Sequence, residues 1–398
     1  VGNRHGAATL TDSRPNSNFE HAEIFATADL RQERRLSSNF DDALPDSHGF
    51  LYRTGMPHHP FGEISGTLHT LSLEFGSVLD NRLGDPTCRQ VTLYLPTHCP
   101  ASEGRWPLLI WLAGFTSSGL KSPAWQPFAE SLPQRVERLI ASGQIGPCAV
   151  ACPDGFTSLG GNQYVNSPVF GDWETVIARD LPAQLEAKFA IGGHRHNRAV
   201  LGRSSGGYGA LVQAMKHSEQ WGAVACHSGD IGFEMLYARD FAPALATLAK
   251  HRLDIRAFVG SFWQAPKVDR AALHTLMTLA MAASYDPQPD APFGIELPVD
   301  LHTCELNHEA FDRWREHDPL RMVMKSSAQD HLLRLKNLFF DCGARDPYFS
   351  HYGARRLARQ LVALEIPHTY EEFDDGHSDL DYRLDRSLPW IYQALRSS

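Results

Sequence analysis

The chain has 398 residues, 42% hydrophobic and 21% charged, with a formal net charge of −9. That is ordinary globular material, long enough for one large domain with additions or for two domains. The charge is spread without acidic or basic blocks, so nothing marks a nucleic-acid partner or a membrane surface, and no apolar run approaches the roughly 20 residues that span a bilayer.

In chain order, the first residues are polar and show no apolar signal-peptide core, while Val at position 1 fits removal of an earlier segment. Residues 1–66 read as an N-terminal extension with a short helix over 22–34 and a turn-rich "GMPHHPFGEISG". From Thr67 onward the pattern becomes that of one domain, 67–398. "TLHTLSLEF" (67–75) and "RQVTLYLP" (89–96) alternate apolar and polar residues, which predicts an antiparallel strand pair at a sheet edge. "PLLIWLAGF" (107–115) is a strand buried on both faces. A helix over 125–142, a strand at "CAVACPDG" (148–155) and a helix over 174–190 follow, then a strand ending at Leu201, a helix, and a strand at "AVACHSG" (223–229).

Strand grammar then lapses and resumes at "LKNLFFDCG" (335–343), with a helix, a strand and a closing helix after it. The alternation predicts an α/β fold with a mostly parallel sheet and helices on both faces. Residues 232–328 read as a helical, cap-like insertion over the edge of the sheet that carries the chemistry. The seven cysteines are odd in number and scattered, which points to reduced thiols of an intracellular, cytoplasmic protein. Cys148 and Cys152 have no second pair at zinc spacing, so no metal is expected.

At the strand–helix junction, Gly202-Arg203-Ser204-Ser205-Gly206 matches the G-x-S-x-G nucleophile elbow, in which a sharp turn holds the serine clear of the sheet. The helix that follows aims its N-terminal amides at the serine, so the Ser205 N–H can bind a developing oxyanion. A serine nucleophile needs a base and an orienting acid later in the chain. His377, in "DDGHS" after a predicted strand, is the candidate base. "LFFDCGARDPYF" offers Asp346, deeper in its loop, as the acid, with Asp341 as the alternative. Asp374 and Asp375 stand too close in sequence to His377 to reach its Nδ1 side. The second oxyanion donor is the N–H of Phe115, whose side chain is expected to line the acyl pocket.

These stretches, with "YVNSPVFGDWETVIARDLPAQLEAKF", resemble the "putative esterase" family of α/β-hydrolases, which includes S-formylglutathione hydrolases, enterochelin-type esterases, feruloyl and acetylxylan esterases and mycolyltransferases. The resemblance implies Ser204, Asp346 and His377 as triad and the amides of Phe115 and Ser205 as oxyanion hole. It also implies a structural role for Glu174, bracing the loops near the nucleophile. Two features depart from it: Ala113-Gly114-Phe115 stands where many relatives have His-Gly, and the insertion is longer than in compact members.

The expected function is hydrolysis of a small-molecule carboxylic ester through an acyl-enzyme, without a cofactor. Acyl transfer by the same triad and a catalytically silent binding protein on the same fold are the alternatives. Phe262 and Trp263, in "FVGSFW" (258–263), are the expected substrate-pocket residues of the insertion. The oligomeric state is left open.

Overall fold

The computed structural model describes residues 61–97 and 104–397; the helix expected over 22–34 and Cys99 lie outside them. Eight strands form one sheet: β1 (Thr67–Glu74), β2 (Cys88–Leu95), β3 (Leu108–Leu112), β4 (Ala149–Pro153), β5 (Arg198–Arg203), β6 (Ala223–His227), β7 (Asn337–Gly343) and β8 (Thr369–Phe373). Their spatial order is β1-β2-β4-β3-β5-β6-β7-β8. β1 and β2 run antiparallel at one edge, as their alternation predicts, and β2 is antiparallel to β4. Every pairing from β4 to β8 is parallel.

Alternate residues of the central strands feed two cores. Leu108, Ile110 and Leu112 of β3 pack with Tyr208 and Trp173 on one face, while Leu109 and Trp111 pack with Val136, Leu388 and Ile391 on the other. Burial on both faces explains why β3 reads as an unbroken apolar run. The helices on these faces are α1 (Leu132–Ala141), α2 (Leu181–Lys188) and α3 (Ser205–Lys216), and after the long β6–β7 connection α9 (Ser350–Ala363) and α10 (Leu384–Arg396). That connection contains α4 (Phe241–Ala249), α5 (Ile255–Gln264), α6 (Arg270–Tyr285), α7 (His308–Arg315) and α8 (Ser326–Leu333).

Helix α1 begins later than the spacing from Trp125 suggests. The Gln134 side chain accepts from the Ser131 N–H at 2.9 Å, closing a capping box with Pro133 in the first turn. Trp125 and Phe128, on either side of Pro127, are left exposed. Among the described residues no helix is long and apolar enough to cross a membrane. The six cysteines among the described residues are free thiols, and Cys148, Cys152, Cys226 and Cys342 are buried.

Candidate active site

Ser204 stands between β5 and α3 with φ 56° and ψ −126°, a strained conformation for a residue with a side chain. The flanking glycines are required by contact. A Cβ on Gly202 would lie 2.3 Å from the Gly206 carbonyl oxygen, and one on Gly206 would lie 2.0 Å from that of Leu112. The serine N–H donates to the His227 carbonyl at 2.9 Å, which ties the turn to the end of β6.

The structure brings the three expected side chains together. His377 Nε2 lies 3.0 Å from Ser204 Oγ, and His377 Nδ1 lies 2.7 Å from Asp346 Oδ2. The other Asp346 oxygen accepts from the Tyr348 N–H at 2.7 Å, so the carboxylate is buried and fixed at both ends. The Tyr348 ring packs edge-on against the imidazole, centroids 4.7 Å apart.

Neither the Phe115 nor the Ser205 N–H is taken up by a backbone carbonyl among the described residues. Both belong to segments packed around the serine. A Cβ on Gly114 would come within 3.1 Å of Ser204 Cβ, a tight contact that glycine avoids where the β3 loop approaches the serine. The Ser205 hydroxyl is held by Gln163 at 2.7 Å and faces Asp230 at 3.3 Å. Asp230 also accepts from Tyr237, whose hydroxyl meets that of Tyr285 at 3.1 Å. Burial raises the Asp230 carboxyl above the usual carboxylate range, against the Tyr237 hydroxyl that donates to it. This network escapes the sequence, because its members come from four separate segments.

Asp341, the alternative acid, turns to a different histidine. Its Oδ1 meets His227 Nδ1 at 2.8 Å and its Oδ2 accepts from Arg383 at 2.8 Å. His227 Nε2 in turn meets Ser387 Oγ at 2.9 Å. His227 and Asp341 are register partners on adjacent parallel strands, and Ser387 comes from α10. Asp375 binds the Tyr382 hydroxyl and Asp374 pairs loosely with Arg345, both at the surface.

The cavity at Ser204 has a volume of about 190 Å³ and is lined by Phe115, Arg203, Leu273, His274, Met277 and Tyr348, with the serine and His377. Phe115 lines it as expected, but Phe262 and Trp263 do not. Phe262 is buried within the insertion, and the half-exposed Trp263 donates to the Ser158 carbonyl at 2.9 Å. The wall they were expected to form comes instead from α6, one helix further along. Glu174 also acts elsewhere, at the far end of α3, where it takes Lys216 at 2.9 Å and His217 at 2.8 Å. Burial pushes its carboxyl up, yet those two partners outweigh burial and hold it below its ordinary value. A larger cavity, about 730 Å³, lies at α1 and the end of β2, and its lining includes none of the site residues. Among the described residues no group of three or more His, Cys, Asp or Glu side chains is placed to hold a metal ion.

An eight-stranded, mostly parallel sheet with a serine at a strained strand-to-helix turn, met by a histidine and an aspartate from later loops, defines an α/β-hydrolase. Residues 85–385 match the model of the family described as "Putative esterase". The chain belongs to that family and is a serine esterase. Its fold is similar to that of a ferulic acid esterase, 18% identical, with 84% of this chain and 100% of that one covered at a TM-score of 0.54. It is also similar to S-formylglutathione hydrolases from Staphylococcus aureus and Agrobacterium tumefaciens. The first is 15% identical with 82% and 99% of the two chains covered, the second 14% with 84% and 97%, each at a TM-score of 0.50. A search of the curated proteins finds no significant relative.

Proposed function

We propose that Ser204, His377 and Asp346 are the catalytic triad of a small-molecule ester hydrolase. The observation that supports this is the unbroken hydrogen-bond chain from Ser204 Oγ through His377 to Asp346 at the mouth of a cavity. Ser204 Oγ attacks the ester carbonyl carbon while His377 Nε2 accepts the hydroxyl proton. Asp346 holds the proton of Nδ1 and steadies the imidazolium. The carbonyl oxygen, now negative, accepts from the N–H groups of Phe115 and Ser205. Collapse breaks the ester C–O bond, and His377 passes its proton to the departing alcohol. Water, deprotonated by the same imidazole, then releases the acid and restores Ser204. Every proton in this cycle moves through His377, so the residues present suffice.

Residues 232–328 act as a cap, with α6 forming the wall that meets the acyl group. A cavity of about 190 Å³ suits a short acyl chain. The test is a panel of p-nitrophenyl esters of rising chain length, run beside a thioester and a feruloyl ester, with active-site labelling by a fluorophosphonate. Turnover fastest at short acyl length with a label on Ser204 is expected. A label on any other serine would overturn the nucleophile assignment, and a long-chain optimum would overturn the cap reading.

A further inference from the structure

The lining of the cavity at Ser204 includes an arginine and no acid: Arg203, His274 and His377 are its residues that can carry positive charge. Several guanidinium groups elsewhere are clamped by carboxylates through paired hydrogen bonds. Arg355 holds Glu372 at 2.6 and 2.7 Å, and Arg313 holds Asp286 with both bonds at 2.8 Å. Arg203 differs. The carboxylate it pairs with, Asp381, stands 3.6 Å away, beyond hydrogen-bond reach. Its neighbours Asp375 and Asp385 are engaged by Tyr382 and by Arg135 and Arg138. The Arg203 side chain is 27% exposed, so a fork of donors stands partly buried next to the serine and is held by the fold through that one loose ion pair. Such a fork matches a carboxylate in shape and charge better than any other common group.

Asp381 lies four residues beyond His377, so its ion pair ties the guanidinium to the segment that bears the histidine. From that histidine the leaving alcohol receives its proton. The apolar lining residues Phe115, Leu273 and Met277 are left for the acyl group. We infer that this esterase acts on esters whose alcohol portion carries a carboxylate, and that Arg203 binds that carboxylate. The inference rests on the esterase reading of Ser204. The small cavity limits the spacing, so the carboxylate lies within a few atoms of the scissile oxygen.

The experiment compares kcat/KM for matched acetyl esters, acetoxyacetate against acetoxyacetamide, with monoethyl succinate and its amide as the pair charged on the acyl side. A charge-assisted contact predicts about a ten- to hundredfold preference for acetoxyacetate over its amide. Arg203→Gln should bring that ratio close to one, Arg203→Glu should invert it, and Arg203→Lys should keep part of it. Asp381→Asn, which removes the competing carboxylate, should raise it. A ratio unchanged by both Arg203→Gln and Asp381→Asn would overturn the inference while leaving the esterase intact. A preference confined to the succinate pair would overturn it in the same way. Absence of turnover on every ester would overturn the esterase reading and this inference together.

Discussion

Two Ser–His–Asp constellations stand out among the described residues, and their hydrogen-bond lengths are nearly the same. Ser204, His377 and Asp346 are joined at 3.0 and 2.7 Å; Ser387, His227 and Asp341 are joined at 2.9 and 2.8 Å. Their surroundings separate them. Ser204 sits at a turn with positive φ, above a cavity and next to amides with no backbone acceptor. Ser387 is an interior residue of α10 with no exposed surface, and His227 and Asp341 are 2% and 1% exposed. Arg383 also shares Asp341, so that carboxylate neutralises an arginine as well as orienting a histidine. The lesson is that the hydrogen-bonded chain is a common way to satisfy a buried histidine. Access, strain and free donors are what set the constellation around Ser204 apart.

The largest expected difference is at the two serines. Ser204→Ala should abolish ester turnover while the purified protein keeps its circular dichroism and melting temperature. Ser387→Ala should keep kcat and lose about 1–3 kcal/mol of stability in urea titration, because one nitrogen of a buried imidazole loses its partner. Equal loss of turnover in both variants would erase the distinction.

The acids come next. Asp346→Asn should lower kcat by about 10³- to 10⁴-fold through the wrong imidazole tautomer, with little change in KM. Asp341→Asn should leave kcat of the folded fraction within a few-fold of wild type. It should cost about 3–5 kcal/mol of stability, since Arg383 is left buried with its charge only partly met. Stopped assays at several urea concentrations separate the two effects, and a kcat loss in Asp341→Asn without unfolding would contradict the assignment.

The smallest effect concerns the insertion. Met277→Ala should shift the ratio of kcat/KM between butyrate and acetate esters by about tenfold, the worth of one or two methylenes in an apolar pocket. Trp263→Ala should scale both esters alike and lower the melting temperature, as befits a ring that braces the loop after β4.

Much of this was legible because it is local. The strand starting at Thr67, the unbroken run of β3 and the glycines around Ser204 each carry their signal within a few residues, since backbone burial and close approach leave few residue choices. The choice between Asp346 and Asp341 was not local. Asp341 lies within β7 and Asp346 three residues beyond its end, and only the partners of β7 decide it, with His227 opposite Asp341 in register and His377 reaching in from beyond β8. The pocket wall was harder still. Phe262 and Trp263 look like the apolar anchors of the insertion, and Phe262 is one, but only for its own core. Leu273, His274 and Met277 lie on a helix whose approach to Ser204 depends on how the connecting helices pack, which no periodicity along the chain encodes.

The bond from the Ser204 amide to the His227 carbonyl gives the buried constellation a task of its own. The side chain of His227 is fastened to α10 through Ser387 and to Asp341, while its main-chain oxygen holds the strained turn in place. The serine is therefore latched from the reverse side of the sheet by the last helix of the chain. Loosening of α10 would let the turn relax toward an ordinary backbone conformation while the rest of the sheet stays paired. Inactivation on heating would then begin at the C-terminal helix, far along the chain from the serine, and activity would fade before the protein as a whole melts.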